Sequence, residues 1–289
     1  MKSFYIITNR SKDSDLQVTD QIISFLEQKG CVCRLCGQTR ETGGKWHYTD
    51  PSMIPEDTEC VLVLGGDGTL LQAARDLVNK DLPLLGINLG TLGFLAEVDQ
   101  SAIHPSLEKV ICGDYLVEER MMLSGTVWHG REKVGQDTAL NDITIAREGH
   151  LRVVRFQNFV NNEFLNAYSA DGIIISTPTG STGYNLSAGG PLVSPQASMF
   201  IMTPVAPHTM NSRSFVFPPE DVITVEIGQS RRYEDEKAFA CFDGDTVFPM
   251  ATGDRIEIRR AETSTKIIKL RSMSFVEVLR QKMSATQEV

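Results

Sequence analysis

The stretch from residue 60 to residue 75 constrains the fold of this chain more than any other. It begins with five consecutive apolar residues, Cys60–Leu64, a run long enough for a buried strand of a parallel sheet. A turn of three glycines and one aspartate follows at 65–68, and apolar residues then recur at helical spacing after Thr69. This pattern predicts a strand, a glycine turn and a helix N-terminus, a junction whose backbone N–H groups favour phosphate.

Asp67 is the unusual residue of this turn. The turn lacks the spacing of the dinucleotide fingerprint, and no Gly-Lys-Ser/Thr sequence follows its glycines. A carboxylate repels phosphate, so its presence in a phosphate-binding turn suggests a chemical role. Two tasks fit: accepting a proton from an attacking hydroxyl, or sharing a divalent cation with the phosphates. The structural alternative is an aspartate that caps the following helix, and the turn alone leaves these interpretations open.

A second stretch rich in glycine and hydroxyl groups, 168–191, narrows the interpretation. It also reads as a strand, a turn and a short helix. Its segment 171–184, with the run Ser-Thr-Pro-Thr-Gly-Ser-Thr, resembles the long motif of the NAD kinases, which phosphorylate the 2′-hydroxyl of the adenosine ribose of NAD. Residues 65–69 resemble the first motif of that family, and residues 140–142 its Asn-acid motif. The resemblance covers nearly the whole chain.

The resemblance implies one catalytic residue, Asp67, and a set of nucleotide-binding residues. That set is Gly66, Gly68, Thr69, Asn88, Phe94, Asn141, Asp142, Asp171, Ser176, Thr179, Thr182, Gly183, Tyr184, Ser187, Ala206, His208 and Asp243. Asn141 and Asp142 resemble a pair that holds ribose hydroxyls and the nicotinamide side, and a carboxylate suits a ribose because it accepts two hydroxyl hydrogen bonds. Asp245 stands where relatives often have glutamine, which leaves ligand contact at residues 243–245 open.

Several of these residues also have plain structural interpretations. Asn-Asp at 141–142 is a turn signal in most proteins, and Asp-Gly at 171–172 is a hairpin signal. Phe94 either lies near the adenine, as the resemblance implies, or packs in the core. The hydroxyl groups of 176–182 either contact substrate or cap helices. His208 is either a contact residue or a structural histidine.

The order of elements predicts two domains. The central motif is flanked on both sides by predicted elements. Before it come a strand at 4–8, a helix opened by Ser14 or Asp15, a strand at 31–35 and a long loop at 37–59, and after it come a strand in 83–96 and a helix at 103–111. This alternation predicts a doubly wound, Rossmann-like α/β domain. After Gly113, short strand-like runs dominate, which predicts a sandwich-like domain. The runs are 116–128, 137–146, 153–160, 163–166, 172–176, 199–203, 214–217, 222–227 and 237–242.

The predicted boundaries place 1–115 and about 266–289 in the α/β domain, and 116–265 in the β-rich, NAD-binding domain. Residues 265–270 read as a strand and 275–283 as an amphipathic helix. In the NAD kinases the C-terminal segment returns to pack on the first domain. The resemblance therefore implies the same return here.

Composition limits the classes of partner. The net charge of −9 argues against a broad nucleic-acid surface or a patch for anionic membranes. No apolar run approaches the roughly 20 residues of a spanning helix, and the N-terminus reads as a strand rather than a signal core. We expect a cytoplasmic protein without disulfides. Cys31, Cys33 and Cys36, with His47 nearby, leave two interpretations: a zinc site, or small apolar residues alternating on a strand.

The resemblance implies transfer of the γ-phosphoryl group of ATP to NAD, with Mg²⁺ on the phosphates, in a homodimer or homotetramer. A lipid kinase would share the turn at 65–69, but the charge of −9 and the motif at 171–184 disfavour it. A non-catalytic NAD(P)-binding regulator would have lost Asp67 or the Asn-acid pair, and both are present. The sequence leaves open ATP against polyphosphate as donor, and NAD against NADH as acceptor.

Overall fold

The structure, a computed structural model, describes residues 1–37, 40–42, 45–47, 49–90, 93–149, 153–210, 212–229, 236–270 and 274–285. The chain divides into two units. One unit consists of Met1–Glu119 and Thr265–Val289, and the other of Arg120–Ser264. Among the described residues, no helix is long and apolar enough to cross a membrane.

The first unit is built on parallel strands. The strands and α-helices described up to residue 112 are β1 (Ser3–Thr8), α1 (Gln17–Gln28), β2 (Val32–Leu35), β3 (Arg40–Thr42), β4 (Lys45–His47), β5 (Cys60–Gly65), α2 (Asp67–Asp76), β6 (Leu84–Asn88), β7 (Val98–Asp99) and α3 (Ile103–Cys112). The sheet has the order β6-β5-β1-β2 with every neighbour parallel, and β7 lies beside β6. Strand β5 is buried along its whole length, as its apolar run predicts.

Helices cover both faces of this sheet. Leu62 and Leu64 of β5 pack in one cluster with apolar residues of α1 and α3. On the opposite face, Gly86 is the register partner of Val63, and a Cβ added at Gly86 would lie 3.1 Å from Leu70 of α2. The helix α2 therefore packs closely on this face. The predicted doubly wound α/β class is therefore confirmed.

Two local predictions for this unit are wrong. The helix predicted to open at Ser14 or Asp15 begins at Gln17, because Leu16 adopts a left-handed conformation with φ 56°. The first N–H groups are instead satisfied by Asp13, whose carboxylate accepts from Val18 and Thr19. The predicted loop at 37–59 contains the antiparallel pair β3–β4 and a 3-10 turn at Pro51–Met53, elements too short to produce a sequence period.

The second unit consists of two antiparallel sheets. Its elements are β8 (Leu116–His129), β9 (Glu132–Ala139), β10 (Asp142–Arg147), β11 (Val154–Val160), β12 (Glu163–Ala170), β13 (Gly172–Ser176), α4 (Tyr184–Ser187), β14 (Phe200–Val205), β15 (Phe215–Phe217), β16 (Ile223–Gly228), β17 (Lys237–Phe242), β18 (Thr246–Ala251) and β19 (Arg255–Lys269). One sheet has the order β15-β14-β13-β10-β17-β18, and the other contains β12-β11-β16-β19, with β8 and β9 paired beside β19.

The inner faces of these two sheets share one core. Ile143 and Ile175 of the first sheet pack in the same cluster as Phe156, Val225 and Ile256 of the second. The predicted sandwich is therefore confirmed. Strand β19 continues past residue 264 into the first unit, where Ile267 pairs with Leu84, and the last helix, α5 (Phe275–Ala285), belongs to that unit as well.

Two strand predictions in the second unit are wrong. The run 137–146, predicted as one strand, is divided between β9 and β10 because the chain bends at Leu140 and Asn141. Strand β19 begins ten residues before the predicted strand at 265–270. Its first half alternates buried Ile256 and Ile258 with charged residues, so it contains no apolar run.

Candidate active site

Asp67 is the first residue of α2 and directly follows the turn after β5. Its carboxylate accepts three backbone hydrogen bonds, from the N–H groups of Phe94 at 2.6 Å, Leu95 at 3.1 Å and Ala96 at 3.2 Å. The helix-capping interpretation is not what the structure shows, since the carboxylate binds a distant segment instead of the start of its own helix. Asp67 therefore fixes residues 94–96 against the glycine turn.

Glycines permit this close approach. A Cβ at Gly93 would lie within 3.0 Å of the carboxylate of Asp67, and a Cβ at Gly65 would lie within 3.0 Å of the Thr69 side chain. Thr69 is buried beneath the turn, where its hydroxyl accepts a hydrogen bond from Asn9 at 3.1 Å. Thr69 thus supports the turn, while Gly66 and Gly68 contribute backbone to it.

A lysine lies beside the same turn. The ammonium nitrogen of Lys12 is 2.9 Å from the position a Cβ would take at Gly66, and 3.4 Å from the corresponding position at Gly90. Its side chain is exposed. The turn therefore combines a helix N-terminus with a local positive charge, two features that favour phosphate.

Asn88 and Phe94 occupy the two ends of the next glycine-rich segment. The Asn88 amide donates to the carbonyl of Gly90 at 2.7 Å and accepts from its N–H at 3.2 Å, so this buried side chain closes its own turn. Phe94 is half-buried, and its ring lies 6.4 Å from that of Phe275 and 4.9 Å from the ammonium of Lys282. Thr91 and Leu92 of the predicted turn lie outside the described residues.

In the second unit, residues 140–142 form a corner between β9 and β10. The carboxylate of Asp243 accepts hydrogen bonds from the N–H groups of Leu140 at 2.7 Å, Asn141 at 2.8 Å and Asp142 at 3.0 Å. Thr177 holds the other side of the backbone. Its hydroxyl donates to the carbonyl of Leu140 at 2.6 Å, and its N–H donates to the carbonyl of Asn141 at 2.9 Å.

The Asn141 and Asp142 side chains converge near Gly183. The Asn141 amide nitrogen is 3.6 Å, and a carboxylate oxygen of Asp142 3.9 Å, from the position of a Cβ at Gly183. Asn141 Oδ1 is buried and has no hydrogen-bond partner among the described residues. A buried acceptor without a partner is costly, so this oxygen is suited to a donor supplied by a ligand.

The hydroxyl-rich motif divides into supporting and available groups. Ser176 is buried and donates to the carbonyls of Asn141 and Thr177. Thr179 accepts from the buried Arg120 at 3.4 Å, and Thr182 donates to the carbonyl of Thr179 at 3.3 Å, closing the 3-10 turn. At the end of the motif the hydroxyl-bearing side chains of Tyr184 and Ser187 are exposed, and so available to a ligand.

Asp171, Ala206 and His208 are brought together by two adjacent chain segments. The N–H of Asp171 donates to the carbonyl of Val205 at 3.0 Å, and the N–H of His208 donates to that of Ser169 at 2.8 Å. The hairpin interpretation of Asp171 is wrong, because β12 and β13 belong to different sheets. The Asp171 carboxylate accepts from Arg147 Nε at 2.7 Å, and the side chain of His208 is exposed.

Comparison with known proteins decides the family. The family model for the ATP-NAD kinase N-terminal domain matches residues 4–115, and that for the ATP-NAD kinase C-terminal domain matches residues 140–270. The chain belongs to the NAD kinase family. The NAD kinase of Lachnospira eligens is 44% identical and covers 98% of this chain and 100% of its own. The NAD kinase of Lachnoclostridium phytofermentans is 43% identical, and the match covers 98% of this chain and 99% of the relative.

Two solved structures of this family share the fold. Yeast NADH kinase complexed with NADH superimposes with a TM-score of 0.84 and 23% identity, covering 98% of this chain and 88% of its own. An NAD kinase from Archaeoglobus fulgidus in complex with ATP gives a TM-score of 0.76 at 23% identity, with 98% of both chains covered. The family models and the curated relatives confirm the resemblance to the NAD kinases, and these two structures agree with it in fold.

Burial dominates the electrostatics of the Asn-acid pair of this NAD kinase family member. Asp142 is 7% exposed. Its burial, and secondly the nearby negative charge of Asp243, raise the pKa of Asp142 from its ordinary 3.8 to about 7, while the hydrogen bond from Thr144 acts in the opposite direction. Near neutral pH this side chain can therefore donate as well as accept a hydrogen bond.

This raised pKa predicts a pH-dependent stability. Between about pH 4 and pH 7 the folded chain keeps a proton on Asp142 that the unfolded chain releases, so the contribution of Asp142 to stability falls as the pH rises. Asp142→Asn is expected to remove this slope and to raise the free energy of unfolding at pH 8 by up to about 4 kcal/mol. Urea unfolding of both proteins from pH 4 to pH 8 measures it, and equal slopes would contradict it.

Burial determines the state of the cysteine cluster. Cys31 and Cys36 are buried and Cys33 is half-buried, and burial, with Glu27 and Cys31 nearby, raises the pKa of Cys33 to about 12. The Cys33 thiol is therefore neutral and packs as a small apolar group. The side chain of His47 lies outside the described residues, which contain no group of three or more His, Cys, Asp or Glu suited to a metal.

Sequence reasoning missed Lys12, Arg120 and Arg147. All three are basic residues that approach predicted site residues: Lys12 lies beside Gly66, Arg120 donates to Thr179, and Arg147 pairs with Asp171. Each lies more than 20 residues away in sequence from the group that it approaches. No motif spacing signals such contacts.

Proposed function

We propose that this protein transfers the γ-phosphoryl group of ATP to the 2′-hydroxyl of the adenosine ribose of NAD, giving NADP and ADP. One observation carries the proposal. A chain that is 44% identical to a named NAD kinase over 98% of its length contains both the Asp67 turn and the corner at Asn141 and Asp142. The bound NADH in the yeast relative and the bound ATP in the archaeal relative support a dinucleotide acceptor and a nucleotide donor.

The corner at Asn141 and Asp142 is suited to binding the acceptor. The unpartnered Asn141 Oδ1 accepts a hydrogen bond from the dinucleotide, and Asp142 contacts ribose hydroxyls. A dinucleotide analogue that lacks the hydrogen-bond donor would leave this buried oxygen unsatisfied and would therefore bind more weakly. Asp171 and the exposed Tyr184, Ser187 and His208 are further candidate contacts of the same unit.

Asp67 is proposed as the carboxylate that receives the proton of the attacking 2′-hydroxyl. Its two oxygens already accept three backbone hydrogen bonds, which fixes the carboxylate in one orientation. A carboxylate offers about four acceptor directions, so one is left for a hydroxyl or a cation. Phosphoryl transfer depends mainly on such positioning and on neutralising the phosphate charge.

The residues present fit Mg²⁺ in the manner usual for nucleotide substrates. That ion keeps several waters and binds through one or two carboxylates plus substrate phosphates. Asp67 is the carboxylate that would hold it here in place of the hydroxyl, since its one remaining acceptor direction serves one of the two. When bound, the ion neutralises phosphate charge. Lys12 and the N–H groups of the turn supply further positive charge beside Gly66.

We also propose that the protein acts in the cytoplasm as a homodimer or homotetramer.

The test is NADP formation by the purified full-length protein, read by an NADP-specific dehydrogenase. NAD, ATP and Mg²⁺ together are expected to give NADP, and omission of any one is expected to abolish it. Polyphosphate and NADH, tested in place of ATP and NAD, define the donor and acceptor. NAD binding without NADP formation from any donor would overturn the proposal and favour a non-catalytic regulator.

A further inference from the structure

Asp243 combines features that a simple ligand contact does not require. It directly follows β17 in the turn to β18, with a left-handed φ of 50° that a non-glycine residue seldom adopts. Aspartate tolerates this conformation better than most residues. Hydrogen bonds compensate for the unfavourable backbone conformation, since the two carboxylate oxygens together accept from three consecutive N–H groups at 140–142.

The corner at 140–142 depends on Asp243 and Thr177 from opposite sides. Asp243 binds its N–H groups, and Thr177 binds the carbonyls of Leu140 and Asn141. The N–H of Asp243 also donates to the carbonyl of Asp142 at 3.0 Å, so the aspartate and the corner hold each other. Loss of the carboxylate would leave three N–H groups without their charged acceptor.

We propose that Asp243 is a positioning residue that fixes the backbone of Leu140, Asn141 and Asp142 so that the Asn141 and Asp142 side chains face the dinucleotide. In this assignment Asp243 acts on the dinucleotide through the corner, because both of its carboxylate oxygens are hydrogen-bonded to the N–H groups at 140–142. The inference rests on the proposed function for the identity of the ligand. It changes the role of Asp243 from a predicted contact to the support of two contacts.

Two substitutions at Asp243 test the assignment. Asp243→Asn retains one acceptor oxygen. Asp243→Gly removes the carboxylate, and because glycine adopts a positive φ without strain, this variant is expected to fold. The Kd for NAD is expected to rise about tenfold for the asparagine variant and at least about fiftyfold for the glycine variant. The KM for ATP is expected to change less than about threefold, because the corner serves only the acceptor.

Asp254→Asn is the matched control. Asp254 is another buried aspartate of the same unit, whose carboxylate accepts from the N–H of Ala251 at 2.8 Å and lies 2.5 Å from Nδ1 of His129. Its loss is expected to lower the melting temperature while leaving the Kd for NAD within about twofold. A purely structural role for Asp243 would make its variants behave like this control.

Hydrogen exchange of the amides at 140–142 completes the experiment without using NAD. Both Asp243 variants are expected to lose protection at these three amides, and Asp254→Asn is expected to keep it. Retained protection, or an unchanged Kd for NAD in folded Asp243→Gly, would overturn the inference. If the wild-type protein does not bind NAD, the proposed function fails, and the exchange result still decides whether Asp243 holds the corner.

Discussion

Asp67→Asn is expected to lower the rate of NADP formation by about 10²–10⁴-fold, the range found when a general base is removed. The substitution keeps the size of the side chain but removes its charge. It also turns an NH₂ group toward at least one of the N–H donors of Phe94, Leu95 and Ala96, so the loop at 94–96 loses part of its anchor. We therefore expect some loss of stability beside the loss of activity.

Asp76→Asn is the control for charge removal. It removes the same charge from the other end of α2, where Asp76 accepts from Gln72 at 2.8 Å. This control is expected to keep more than about half of the activity. Initial rates of all three proteins at saturating NAD and ATP, over a range of Mg²⁺ and pH, provide the measurement. More than about a tenth of wild-type turnover in folded Asp67→Asn would contradict a role as base.

Gly180→Ala is expected to displace the corner at 140–142. A Cβ at this position would lie within 3.0 Å of the Cα, carbonyl carbon and carbonyl oxygen of Asn141, which are backbone atoms and cannot rotate away. The corner is held from both sides, by Asp243 and by Thr177, so it cannot shift without breaking hydrogen bonds. We expect a loss of about 3 kcal/mol in the free energy of unfolding and at least tenfold weaker NAD binding.

Gly37→Ala is the matched control for Gly180→Ala. Among the described residues, a Cβ at Gly37 would meet no atom within 4 Å, and Gly37 has no positive φ. The free energy of unfolding of this variant is therefore expected to stay within about 0.5 kcal/mol of the wild-type value. Urea unfolding and titration with NAD compare the three proteins. Wild-type stability together with wild-type NAD affinity in Gly180→Ala would show that the corner is not rigid.

Local pattern predicts much of the fold. The apolar run at 60–64 becomes β5, and the runs at 172–176 and 237–242 become β13 and β17 within the predicted limits. Strands β5 and β13 are buried throughout, and β17 alternates buried Ala238, Ala240 and Phe242 with more exposed positions of which only Lys237 is charged, so each sequence shows its strand directly. The start of β19 is not found in this way, because alternate positions are charged.

The candidate site is predicted only as separate motifs. The hydrogen bond from Phe94 to Asp67 spans 27 residues, and that from Leu140 to Asp243 spans 103. Neither contact leaves a period or spacing in the sequence, so the supporting roles of Asp67 and Asp243 require the fold. The hairpin interpretation of Asp171 fails for the same reason, since strand pairing is decided by the whole sheet.

The most direct test of the proposed activity follows the phosphoryl group itself. The purified protein is incubated with NAD, Mg²⁺ and ATP that carries a radioactive γ-phosphate, and the nucleotides are separated. We predict that the label leaves ATP and appears in a dinucleotide that an NADP-specific dehydrogenase reduces, with one ADP formed for each NADP. Label found only in inorganic phosphate, or only in unreacted ATP, would contradict phosphoryl transfer to NAD.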